Sequence, residues 1–108
     1  KFINVFQPCR LGWSYEPEMT CEMGRLSVET CIWPLYEVVN GQYKITKPKE
    51  KKPVIEWIKL QGRFRHLLKP ENKALLDEIQ TVTDKNWEDL LRKEAALSPQ
   101  PAATVKPV

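Results

Sequence analysis

Short apolar runs alternate with polar, proline-punctuated stretches along the chain, and their spacing predicts most of its elements. Phe2-Ile3-Asn4-Val5-Phe6 is β-prone and mostly apolar, which predicts a core strand. Pro8 has no N–H to give to a ladder, so that strand should end there and present Cys9 at its carboxyl edge. In open α/β sheets that edge is where ligands bind. Behind Pro17, residues Met19, Met23, Leu26 and Thr30 recur at helical spacing and mark a buried helix face. Pro17 suits the first helical position, and Trp33-Pro34 should stop the helix, because a residue before proline is pushed out of the α region.

Residues 34–39 and 42–46 read as two strands joined by Asn40-Gly41, a two-residue hairpin signal in which both positions tolerate positive φ. A lone hairpin is marginal in water, so Trp33, Leu35 and Tyr36 are expected to lean on the rest of the fold. Val54, Trp57 and Ile58 predict a short helix opened by Pro53 and ended by Gly62. Arg63-Phe64-Arg65-His66 forms a basic, aromatic link to Pro70. Leu75, Leu76, Ile79, Val82, Trp87, Leu90 and Leu91 then make one broad helical stripe to about Leu97. Thr83-Asp84 leaves open whether this is one long helix or two abutting ones. From Ser98 the composition is Pro-rich and predicts an extended arm.

Composition narrows the class. With 42% hydrophobic and 29% charged residues in 108, the chain is one modest globular domain, and no apolar run reaches the roughly 20 residues of a membrane span. Lys1 runs directly into the first predicted strand without a signal-peptide pattern. One lone strand at the start lacks neighbours, so the sequence reads as part of a longer polypeptide. The net charge of +3 is interleaved, and the densest basic run, Lys47 to Pro53, reads as a solvated loop rather than a nucleic-acid patch.

The three cysteines, Cys9, Cys21 and Cys31, include no Cys-x-x-Cys pair, and their odd number argues against a disulfide framework. A reducing, cytoplasmic setting is therefore expected. Cys21 and Cys31 fall in or at the end of the first predicted helix and read as packing residues. Cys9 is open to more than one role: ligand, nucleophile or small buried hydrophobe. Lone His66 offers no second ligand for zinc and no evident base for a nucleophile. Arg63, Arg65 and His66 around Phe64 suggest an anion pocket or an intersubunit salt-bridge cluster.

Longer strings carry a more specific signal. Phe2-Ile3-Asn4-Val5 leading to Pro8-Cys9 and Gly12-Trp13, then Ser27-Val28-Glu29-Thr30-Cys31 and Trp33-Pro34-Leu35-Tyr36-Glu37, resemble the beta subunit of 2-oxoacid:ferredoxin oxidoreductases of the pyruvate synthase type. Leu60-Gln61-Gly62-Arg63-Phe64-Arg65-His66-Leu67 and Lys69-Pro70-Glu71-Asn72 are similar to the same subunit's C-terminal tail. The resemblance runs collinearly from Phe2 to Leu97.

It implies an α/β fold: the C-terminal fragment of a thiamine-diphosphate-binding domain (1–46), with its β-hairpin, then a helical C-terminal extension (47–97); the Pro-rich arm (98–108) lies outside the resemblance. It implies thiamine-diphosphate-dependent oxidative decarboxylation of a 2-oxoacid, pyruvate first, with electrons passing through iron–sulfur clusters to ferredoxin. Cys9 matches the fourth cysteine ligand of a [4Fe-4S] cluster. The Gly-Asp-Gly segment for thiamine diphosphate and Mg²⁺, and three further cluster cysteines, are not in this sequence. The implied partners are the other subunits, ferredoxin, the 2-oxoacid and coenzyme A, with neither nucleic acid nor membrane. Arg10-Leu11 departs from the family's usual Pro-Thr between that cysteine and Gly-Trp, which bears on substrate and coenzyme A use. The competing expectation is a non-catalytic interaction domain whose thiols are all structural.

Overall fold

Pro17 opens a 3-10 turn (Pro17–Met19) that leads into helix α2 (Thr20–Glu29); a four-residue helix α1 (Arg10–Trp13) precedes it. The computed structural model describes residues 1–97; the expected arm at 98–108 lies outside them. Strands β1 (Leu35–Val39) and β2 (Gln42–Thr46) form a two-stranded antiparallel sheet with Leu35 opposite Thr46 and Val39 opposite Gln42. Asn40 at φ 53 and Gly41 at φ 78 supply the two left-handed residues that a tight hairpin turn needs. Helix α3 (Ile55–Ile58), 3-10 turns at Gly62–Leu68 and Pro70–Asn72, and helix α4 (Lys73–Leu97) complete the order.

Helix α2 buries the face expected of it: Met23, Leu26 and Thr30 are buried and Met19 is half-buried. Met19, Met23 and Leu26 pack with Val54, Trp57, Ile58 and Leu67 to form the main core. Each fully buried aliphatic side chain contributes roughly 1.5–3 kcal/mol relative to exposure. The helix ends earlier than Trp33-Pro34. Thr30 caps it, its N–H and hydroxyl both bonding Leu26 O, and Cys31 turns left-handed at φ 65. Local hydroxyl bonds and a left-handed residue thus stop the helix before proline acts.

Three other expectations are corrected. Phe2 to Phe6 form no strand: Phe2, Ile3 and Val5 are 89%, 84% and 79% exposed, and no ladder partner for them exists among the described residues. β propensity expresses itself only where a neighbouring strand takes up the backbone hydrogen bonds. The hairpin leans through β2 rather than through Leu35 and Tyr36, which are exposed. Ile45 and Tyr43 pack with Cys31, Trp87, Leu90 and Leu91 in a second core. Gly62 starts a 3-10 turn instead of ending α3, whose cap is Lys59.

Helix α4 is one continuous element through Thr83-Asp84. Its buried side is Leu76, Ile79, Thr83, Trp87 and Leu90, spaced three and four apart. Leu75 and Val82 belong to the predicted stripe but are about half exposed, 100° round the helix from Leu76 and Thr83. The basic loop is largely exposed, as expected, and three of its lysines also form ion pairs. Lys47 pairs with Glu94 at 2.7 Å, Lys52 with Glu29 at 2.7 Å, and Lys51 with Asp84, so it staples α2 and α4.

Candidate functional site

Cys9 caps the short helix α1. Its own backbone is extended (φ −118, ψ 106), its carbonyl accepts the Trp13 N–H at 2.8 Å, and its Sγ accepts the Gly12 N–H at 3.5 Å. Ser14 follows in the left-handed region at φ 62 and closes the turn onto Arg10 O. The thiol is exposed. A sulfur that already accepts a backbone N–H in a tight turn is arranged as a thiolate ligand commonly is, since such bonds orient the sulfur and stabilise its charge.

Three contacts hold this turn against the main core. Pro8 lies over α2, with its Cγ 3.8 Å from where a β-carbon on Gly24 would stand. Trp13 lies edge-on to Trp57 at 5.7 Å between centroids and meets Phe6 at 5.4 Å; Phe6 in turn stacks on Trp33 at 4.8 Å. Gly62 donates its N–H to Ser14 O at 2.7 Å. A β-carbon at Gly62 would stand 2.8 Å from Ser14 Oγ and 2.9 Å from Ser14 Cβ, so this approach has room only for glycine.

Arg63 sits on the same turn. Its guanidinium carbon is 4.2 Å from the Trp13 ring centroid and 4.4 Å from that of Phe64. Its Nε donates to Gln61 Oε1 at 2.7 Å, and buried Gln61 donates its Nε2 to Trp57 O at 2.9 Å. Desolvation against these groups lowers the guanidinium pKa from its ordinary value, and an arginine still carries its charge at neutral pH. The structure does not enclose Arg63, Arg65 and His66 in an anion pocket: all three are exposed, and the Arg63 guanidinium lies over the Trp13 and Phe64 rings.

The other sequence candidates separate from Cys9 in role. Cys31 is buried in the second core, and burial raises its thiol pKa, as a packing residue requires. Cys21 is exposed on α2, because two residues turn it 200° from Met23, so it is not a packing residue. Among the described residues no group of three or more His, Cys, Asp and Glu side chains could hold a metal. Sequence reasoning missed Gln61, Gly62 and Arg63 as supports of the Cys9 turn, because nearly fifty residues separate them from it.

A shallow cleft of about 540 Å³ between α2, the hairpin and the basic loop, lined in part by Arg25, Val28, Leu35 and Lys49, shares no residue with the Cys9 turn. Among the described residues no helix is long and apolar enough to cross a membrane.

No family model matches the chain. Curated relatives do. The chain is 46% identical over 102 residues to pyruvate synthase subunit PorB of Thermotoga maritima, covering 93% of this chain and 32% of that protein. It is 51% identical over 86 residues to PorB of Methanocaldococcus jannaschii, covering 79% and 28%. It is 41% identical over 92 residues to ketoisovalerate oxidoreductase subunit VorB of Pyrococcus abyssi, covering 82% and 28%. The chain therefore spans about a third of the length of the curated relatives it matches. Identity at this level over most of the chain, to subunits of two related enzymes and in agreement with the motifs around Cys9, has one reading: the chain belongs to the family of 2-oxoacid:ferredoxin oxidoreductase beta subunits.

Proposed function

We propose that this chain is the last part of an oxidoreductase beta subunit in which Cys9 is one of four thiolate ligands of a [4Fe-4S] cluster. The observation that carries this is the Cys9 turn itself: an exposed thiol, hydrogen-bonded by Gly12 N–H, on a turn pinned at Pro8, Trp13 and Ser14. When bound, such a cluster supplies one-electron transfer at low potential. This chain's residues hold the sulfur in place and set the polarity around it.

The reaction we assign to the whole enzyme is oxidative decarboxylation of a 2-oxoacid on thiamine diphosphate, with electrons delivered to ferredoxin and the acyl group to coenzyme A. Pyruvate is the substrate favoured: relatives named pyruvate synthase range from 38% to 51% identity and those named ketoisovalerate oxidoreductase from 40% to 42%, so the preference rests on the upper end of the first range. Thiamine diphosphate and Mg²⁺ are assigned to the rest of the subunit, because no Gly-Asp-Gly segment occurs here. Residues 1–46 complete the cofactor domain and 47–97 extend it. The setting is cytoplasmic.

The test is turnover of the assembled complex with Cys9→Ala. Pyruvate-dependent reduction of ferredoxin should fall at least a hundredfold while the subunits still co-purify. Undiminished electron transfer would refute the assignment.

A further inference from the structure

The hairpin has one covered edge and one open edge. On β2, Ile45 turns its N–H away from β1, since Glu94 of α4 accepts it at 2.8 Å. Ile45 and its partner Tyr36 therefore form a ladder pair that exchanges no backbone bonds, and so do Tyr43 and Val38 two residues along. The two-residue turn at Asn40-Gly41 agrees, because it leaves Val39 and Gln42 as the bonded pair that closes the hairpin. The N–H and C=O groups of Tyr36 and Val38 thus point outward from β1. Among the described residues no strand or loop takes them up. Their surroundings match: Tyr36 and Val38 on one face, and Leu35 and Val39 on the other, are 45–58% exposed. A strand apolar on both faces belongs inside a sheet rather than at its rim.

We propose that the open edge of β1 receives an antiparallel strand of pattern apolar–basic–apolar from the remaining polypeptide of its own subunit. This rests on the reading of the chain as the last part of a longer subunit, and the chain spans about a third of its relatives. The two apolar residues of the incoming strand exchange backbone bonds with Tyr36 and Val38. Their side chains extend the face on which Tyr36 stacks against Tyr43 at 5.9 Å. The middle residue falls opposite Glu37 in a non-bonded pair, where side chains stand closest. Glu37 makes no ion pair among the described residues, so a lysine or arginine there complements it. The same geometry disfavours a second copy of this chain: the antiparallel self-pairing that engages both outward residues sets Glu37 against Glu37. Growth at β2 is blocked by α4, which packs along that strand.

The test uses the assembled complex and reads amide exchange along β1, together with photo-crosslinking from p-benzoylphenylalanine in place of Tyr36. The amides of Tyr36 and Val38 should exchange within about tenfold of those of Glu37 and Val39, which the hairpin itself bonds. The crosslink should map to a segment of the same subunit outside these 108 residues, with a lysine or arginine between apolar residues. Far faster exchange at Tyr36 and Val38 than at Glu37 overturns the added strand, and it is read on wild type even if the substituted complex does not assemble. A crosslink to another subunit or to a second copy overturns the occupant, and a mapped segment without a basic residue overturns the charge match. A native subunit no longer than this chain would remove the underlying reading. A longer subunit with fast exchange at Tyr36 and Val38 overturns this inference alone.

Discussion

At Gly62 the fold tolerates no side chain. A methyl group there would press on the Oγ, Cβ and carbonyl of Ser14; the hydroxyl can rotate away, but the Cβ and carbonyl cannot move without disturbing the turn. Gly62→Ala should therefore cost about 1–3 kcal/mol, read as a lower urea midpoint, and should also speed amide exchange at Ser14. A second residue-scale expectation concerns Met23, fully buried between α2 and α3; Met23→Ala should cost about 2–5 kcal/mol in the same assay. The two positions differ in how readable they were. Met23 declares itself by its spacing from Met19 and Leu26. Gly62 resembles an ordinary helix terminator, because nothing local says that Ser14 will lie against it.

Between elements, the hairpin is fastened to α4 by apolar packing and by one carboxylate. Glu94 accepts the Ile45 N–H at 2.8 Å and the Lys47 ammonium at 2.7 Å. These bonds, the one from Lys47 first, hold its carboxyl below the ordinary 4.5. A depressed folded value contributes stability above the unfolded value and loses it as pH falls through the folded one. The Ile45 amide resonance should accordingly titrate with a midpoint below 4.5, and a midpoint at or above it would contradict the bond. Asp84, held low first by Lys51, should follow the same sign. The hairpin itself was legible from Asn40-Gly41, as were α2, α3 and the long helical stripe. Which strand face docks was not: Ile45 and Tyr43 outcompete Leu35 and Tyr36 because β2, not β1, lies against Trp87 and Leu90. That choice depends on tertiary position, which alternation within one strand does not encode.

Across the whole molecule the asymmetry is chemical: two segments carry exposed apolar side chains outside a well-packed interior. Phe2, Ile3 and Val5 are almost fully exposed, and Leu35, Tyr36, Val38 and Val39 of β1 are about half exposed. Monomeric proteins seldom leave such a run uncovered. The chain spans about a third of its relatives, and we assign the cover to the remaining polypeptide and its neighbours. This chain alone should bind an apolar fluorophore strongly, and the assembled complex should bind it far less; equal binding would contradict the assignment. The expected strand at Phe2 to Phe6 fails in this structure for the same reason, since its pattern describes a partnership that these residues cannot make among themselves. The site follows suit. Cys9 stood out in the sequence by its Pro-Cys and Gly-Trp setting, whereas its supports at Gln61, Gly62 and Arg63 became visible only once the chain was folded.

The claim on which the account turns is that Cys9 Sγ binds iron. The direct measurement is the low-temperature EPR spectrum and iron content of the dithionite-reduced complex carrying Cys9→Ala, beside wild type. The account predicts loss of one [4Fe-4S] signal and of about four iron atoms per subunit, with Cys21→Ala leaving both unchanged. A Cys9→Ala complex with the full iron content and an unaltered spectrum would contradict it.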